Sequence, residues 1–328
     1  MVKAARPLLP VLLLAACATG FAQQSVDPDF DATVKTKTYG AKDRPRIVID
    51  EAHNNQLTAE DLYKPLATLL TNDGYEVDAG KEKFQPRTLR AMRVLIIANA
   101  RGEGATDDSS PPAFTDAECD IVREWVSGGG SLLLIADHVP FANAAVELSK
   151  RFGVSMGKGI AFDLASYEST PTFVAFSADQ SQLGDHPILK GLRSGERIKR
   201  VVAFAGQSLS VPGGATALLK FGPTSLEAEN QRELESALAD ARAKGASTPA
   251  ARIRHATPAA GRAQAVALTV GTGRVVVVGE AGMFSALLLK QPSGADLKLG
   301  MNLPGNDDKQ FALNVLHWLS QAKLSSAK

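Results

Sequence analysis

Residues 128–138 read Gly-Gly-Gly-Ser-Leu-Leu-Leu-Ile-Ala-Asp-His, and this stretch decides the fold. Its apolar run has no polar residue at alternate positions. That is the pattern of a strand buried on both faces, and such strands belong to parallel sheets. The glycines stop any helix that precedes it. Asp137 and His138 then arrive at the strand's carboxyl end, where ligands gather in open parallel sheets.

Upstream, the preceding helix has a clear start. Thr115-Asp116-Ala117-Glu118 is a capping box, and Ile121, Val122, Trp125 and Val126 share one apolar face behind it. Three more strands are expected, over residues 46–50 (RIVID), 75–79 and 94–98 (VLIIA). A helix capped by Thr58, with Leu62, Leu66, Leu69 and Leu70 on one face, is expected between the first two. It ends at Asn72-Asp73-Gly74, and a short helical turn over 88–92 leads into the third strand. This rhythm predicts a flavodoxin-like, doubly wound α/β fold with a mostly parallel sheet and right-handed crossovers.

Downstream, residues 154–221 turn to short β runs (172–176, 201–204, 217–221), read as an antiparallel extension. Residues 225–264 become rich in Ala, Glu, Arg and Lys, which suggests a mobile surface insertion with a helix over 226–243. The core resumes at 265–270, turns at Gly271-Thr272-Gly273, and runs from Arg274 through four valines to Glu280. An amphipathic helix over 306–322, with Phe311, Val315, Leu316 and Leu319 inward, closes a domain of residues 45–322, and 323–328 form a tail.

The chain begins with Lys3 and Arg6, then an apolar run to Ala16, then small residues, which is the order of a secretory signal. The run is far shorter than the ~20 residues that a membrane-spanning helix needs. Two processing routes stay open. Leu14-Ala15-Ala16-Cys17 resembles a lipobox, which would make Cys17 a lipidated tether, while Gly20-Phe21-Ala22 suits ordinary cleavage after residue 22. Either route predicts export to the periplasm, with residues 23–44 as a polar tether. The only cysteines are Cys17 and Cys119, so neither a disulfide framework nor a thiolate metal cluster fits. The net charge of +1 without a basic stripe argues against a nucleic-acid partner. Oligomeric state is left open.

The residues 46–50, the capped helix into 128–135, and the ending from Gly273-Arg274-Val275 through Asn314-Val315-Leu316-His317-Trp318-Leu319 resemble an exported branch of the class I glutamine amidotransferase-like superfamily. Its relatives include domains of gliding-motility and intraflagellar-transport proteins. His186-Pro187-Ile188 followed by Gly191-Leu192 is similar, more distantly, to a segment of trehalose-utilisation proteins. The resemblance implies binding of sugars or envelope components. It also locates a departure. Working amidotransferases carry a cysteine nucleophile at the strand end that here reads Ile135-Ala136-Asp137-His138, and Cys119 lies inside a helix. Glutaminase chemistry is therefore not expected.

The strand ends supply the candidate site. Asp50, Glu51, His53 and Asn54 follow the first strand, Asn99 and Arg101 the third, Asp137 and His138 the fourth, and Glu280 the last, with Gln207 nearby. As a rim of amide and guanidinium forks they suit a small polar ligand such as an envelope saccharide, with no cofactor. A hydrolase using His138 with Asp137 is the alternative, with a divalent metal on His53, His138 and Glu280 if any is held. A third reading is an interaction module of a membrane complex. The plainest is that Asp50 and Asp137 cap the segments after them while the histidines bond loop carbonyls. Asp50-Glu51-Ala52-His53 matches a helicase box, but no phosphate-cradling loop accompanies it, since residues 153–159 are one residue short and lack a hydroxyl after Lys158.

Overall fold

In a computed structural model describing residues 24–245, 248–290 and 296–323, the first half runs β1 (Gln24–Val26), β2 (Arg46–Asp50), α1 (Lys64–Asn72), β3 (Glu76–Gly80), α2 (Pro86–Leu89), β4 (Val94–Ala98), α3 (Asp116–Ser127), β5 (Ser131–Ile135) and α4 (Phe141–Lys150). There follow β6 (Ile160–Asp163), β7 (Phe173–Ser177), α5 (Pro187–Lys190), β8 (Arg200–Phe204), β9 (Thr216–Lys220), β10 (Ser225–Ala228) and α6 (Gln231–Lys244). The chain ends with β11 (Thr257–Pro258), β12 (Ala263–Val270), β13 (Gly273–Val278), β14 (Ala286–Leu289), β15 (Leu297–Gly300) and α7 (Asp308–Ser320). The leader, Cys17 and residues 324–328 lie outside the described residues.

The central sheet has the order β3-β2-β4-β5-β13-β12-β9. Its first five strands are parallel, and β12 and β9 complete it by antiparallel pairing. Numbered by themselves, the parallel strands stand 2-1-3-4-5, the flavodoxin-like arrangement. The five-residue run Ser131–Ile135 is buried throughout, as a strand with helices on both sides must be.

Alternate side chains feed two cores. Ile49, Ile96, Leu133 and Val276 pack under Leu66, Leu69 and Leu70 of α1 and Phe311, Val315 and Leu316 of α7. Leu95, Ile97, Leu134 and Val277 pack on the other face under Val122 and Val126 of α3 and Ala145 and Leu148 of α4. Each such side chain contributes roughly 1.5–3 kcal/mol by leaving water, so the sheet's position is fixed from both sides.

The structure departs from expectation where tertiary contacts outweigh local pattern. The first helix starts at Lys64 rather than after Thr58, because Pro65 belongs in a first turn and disfavours helical backbone just before itself. Residues 24–44 are no free tether: β1 pairs with β14, and Phe30, Val34 and Tyr39 pack on the α1/α7 core. In the 225–264 segment, β10 pairs with β6 and β11, and α6 buries Leu234, Ala237 and Leu238 against Ile160 and Phe162. That segment is thus a packed lobe rather than a mobile insertion. Of the antiparallel extension, β7 and β8 form a ribbon of their own while β9 joins the central sheet.

Candidate functional site

In doubly wound sheets the ligand crevice opens where the strand order reverses, here between β2 and β4. This chain fills it with its own loop. Gln56 donates its backbone N–H to Asn99 O (3.1 Å), Asn55 Nδ2 donates to Ala98 O (3.3 Å), and Arg101 N–H donates to His53 O (2.9 Å).

Asp50 and His53 lie inside, on the α3 face. His53 Nδ1 is 2.8 Å from Asp50 Oδ2 and its Nε2 is 3.1 Å from Glu118 Oε1, with the ring fully buried against Phe84 and Phe114. Carboxylates only accept, so both contacts are hydrogen bonds when both ring nitrogens carry hydrogen. Glu118 also closes the α3 capping box by accepting from Thr115 N–H (3.0 Å), and it accepts from Phe84 N–H (3.3 Å). Burial raises the Glu118 carboxyl's pKa, but its bonds to Thr115 and His53 outweigh that and hold it below the ordinary value. This trio ties β2, α2 and α3 together.

A second polar cluster sits where β4, β5 and β13 end. Asn99 Nδ2 donates to Asp137 Oδ2 (2.7 Å) and to Gln56 Oε1 (3.0 Å), while Asn99 Oδ1 accepts from Asp137 N–H (3.0 Å). Asp137 Oδ1 accepts from Ala281 N–H (2.8 Å). Gln207 Nε2 donates to Ala136 O (2.8 Å) and Asp137 O (3.0 Å), and its Oε1 accepts from Lys158 N–H (2.8 Å). Glu280, only 2 % exposed, accepts from Gly282 N–H (2.5 Å) and Met283 N–H (2.9 Å).

Two carboxyls thus share one small volume. Burial pushes Asp137 up from the ordinary carboxylate range, although Asn99 and His138 pull it back in part. Burial and then the neighbouring Asp137 push Glu280 well above its ordinary value. Each carboxylate therefore disfavours ionisation of the other, and the second of the two to ionise does so above its ordinary range. Tyr63, raised by burial and by both acids, sends its hydroxyl to Ala281 O (3.0 Å) behind them. Glu280 also borders a shallow hollow lined by Phe173, Val202, Phe204, Met283 and Leu299.

The remaining candidates scatter around this centre. His138 is half-buried beside Asp137, and its Nδ1 is 2.7 Å from Val139 O. A carbonyl only accepts, so that nitrogen carries a hydrogen, and Nε2 has no hydrogen-bond partner among the described residues. Glu51 Oε1 accepts from Ala59 N–H (2.9 Å), which makes it a loop cap. Asn54 is exposed. Arg101 donates to Thr106 O (3.0 Å) and lies 5.9 Å from the Phe141 ring centroid, with its buried Nε unpartnered among the described residues.

Asn99 and Gln207, expected as donors to a ligand, spend their amides on the protein and position Asp137 instead. The metal set His53, His138 and Glu280 does not assemble, because His53 is enclosed by Asp50 and Glu118. Among the described residues no three His, Cys, Asp or Glu side chains form a metal cluster. Sequence reading missed Glu118, Gln56 and Tyr63. For Glu118 a signal existed: a capping-box acid on a helix that packs beside a strand end.

Set against solved structures, the chain is similar to the mmIFT52 N-terminal domain, with TM-score 0.57 at 15% identity over 85% of this chain and 99% of that one. The two share a fold. Also similar are a ThuA-like protein from Bacteroides uniformis (TM-score 0.43, 14% identity, 89% and 95% of the two chains) and one from Parabacteroides merdae (0.41, 10%, 87% and 93%). The expected doubly wound, mostly parallel α/β fold is the one observed. No family model and no curated protein matches the sequence.

Proposed function

We propose that this chain binds a small, neutral, polyhydroxylated ligand, a saccharide or cell-wall fragment, at the rim formed by Asp137, His138 and Glu280. The observation that carries this is the carboxyl pair. Among the described residues neither acid has a Lys or Arg partner, and Asp137 is half-buried at the end of β5 rather than sealed. Two neighbouring carboxyls that both resist ionisation would present a protonated donor beside an acceptor, which matches adjacent hydroxyls that both give and take hydrogen bonds. An anionic ligand would be repelled by the same pair. Export by the N-terminal leader would bring the rim to envelope saccharides, and the mass of the mature N-terminus distinguishes cleavage after residue 22 from lipidation at Cys17.

Calorimetric titration with neutral sugars and peptidoglycan fragments tests the reading. Binding to at least one is expected, weakened about tenfold or more, the equivalent of ~1.4 kcal/mol, in Asp137→Asn and Glu280→Gln. Silence across a broad panel with folded protein sinks it. A hydrolase reading is favoured by one observation: Glu280, whose pKa is raised by burial and by Asp137, lies in the same strand-end cluster as Asp137 and its chain neighbour His138, a pairing that suits a general acid and a base. Turnover of glycoside or ester substrates that disappears in His138→Ala would establish it, and turnover unchanged in that variant would exclude His138.

A further inference from the structure

The opposite edge of the sheet, where β4, β5 and β13 begin, carries two arginines with no carboxylate partner among the described residues. Arg93 immediately precedes β4 and Arg274 is the second residue of β13, with β5 between them. Two inter-strand spacings, roughly 10 Å, separate their backbones, and both side chains reach across to the last turn of α7. Arg93 Nε donates to Ser320 O (3.3 Å) and its Nη1 to Gly129 O (3.2 Å). Arg274 Nη1 donates to Trp318 O, and its guanidinium lies 4.9 Å from the Trp318 ring centroid. The same indole meets His186 edge-on, centroids 4.8 Å apart.

The acids around this cluster are already engaged. Asp185 pairs with Lys190 (2.5 Å), and Asp73 is buried against His317 (2.6 Å). What remains is the carboxyl end of α7, worth about half a negative charge, against two full positive ones. Capping the helix therefore accounts for only part of the arrangement. The positive field is felt by its neighbours. Burial and then Arg93 lower the proton affinity of Arg274. His186 is pushed down to about 4 by burial, then by Arg274 and Lys190, with Asp185 opposing. Arg274 Nε and the Nη2 groups of both arginines have no protein acceptor among the described residues, so donors remain to be used.

We propose that Arg93 and Arg274 form a binding site for a phosphate-type oxyanion, supplied either as inorganic phosphate or as a phosphoryl lipid headgroup. Guanidinium forks match the geometry of such an oxyanion through paired N–H donors. The site lies at the opposite end of the strands from Asp137 and Glu280 and does not depend on what binds there.

His186 is a built-in reporter. In the full chain, NMR titration of its ring with inorganic phosphate present should move its midpoint upward from about 4, because a bound anion offsets Arg274. Arg274→Gln should raise the midpoint without phosphate, abolish the response to phosphate, and weaken phosphate binding about tenfold. In a second arm, sedimentation with phosphatidylglycerol vesicles, but not phosphatidylcholine vesicles, that is lost in Arg274→Gln would identify the headgroup as the source. No response in either arm overturns the proposal, as does a phosphate response that survives Arg274→Gln. Should that variant fail to fold, the His186 shift in the unsubstituted chain still decides.

Discussion

An imidazole enclosed by two carboxylates does not tolerate the loss of its centre. Asp50 and Glu118 are buried on either side of His53, and without the ring each would lose a hydrogen-bond donor and two carboxylates would face each other across a cavity. His53→Ala should therefore destabilise by about 3 kcal/mol or more, read as a lowered urea midpoint, and a change under ~1 kcal/mol would show that the trio is not held as described. At this scale the sequence named most of the relevant residues and misjudged their directions. Asp50, His53, Asn99 and Gln207 all stand at strand ends or beside them, as read. Yet Asp50 follows the alternation that turns it to the α3 face, and the two amides are consumed in placing Asp137. Which face a strand-end residue takes depends on one residue of register, and no spacing in the sequence reports it.

Among the elements, those with strong local signals were legible. Thr115 caps α3 through Glu118 N–H (3.2 Å), and Glu118 returns to Thr115 N–H. Thr115→Ala should cost about 1 kcal/mol from the cap, and more if freeing Glu118 loosens its hold on His53. Thermal unfolding of Thr115→Ala, His53→Ala and the double variant separates the two, since non-additive losses are expected for residues in one network. Elements without a local signal were not legible. β1 is three residues long, and β10 reads as the start of a helix in sequence, but each finds a partner strand far along the chain. Pairing with distant strands overrides propensity in segments this short.

For the whole molecule, buried acids set the response to pH. Glu280 and Asp308 are raised well above their ordinary values, both chiefly by burial. Their contribution is complete below the ordinary carboxylate range and is lost as pH rises through their elevated pKa values. Glu118 and Glu196 are lowered by the bonds they accept, and their contribution is lost as pH falls. Stability should therefore fall as pH rises through the elevated values and as it drops through the lowered ones, and Asp308→Asn should flatten the decline on the rising side; an identical decline in that variant would refute the assignment. By itself the sequence determined the central strands, the α3 cap, the closing helix and the absence of a cysteine at the end of β5, because each is written in contiguous residues through periodicity, capping chemistry or residue identity. Only the tertiary structure decided that the loop after β2 fills the crevice, that Asp137 and Glu280 come together at the strand ends, and that Arg93 and Arg274 both reach the last turn of α7 at the far edge. Those outcomes depend on which strands lie side by side, and adjacency in the sheet is a product of packing the whole chain.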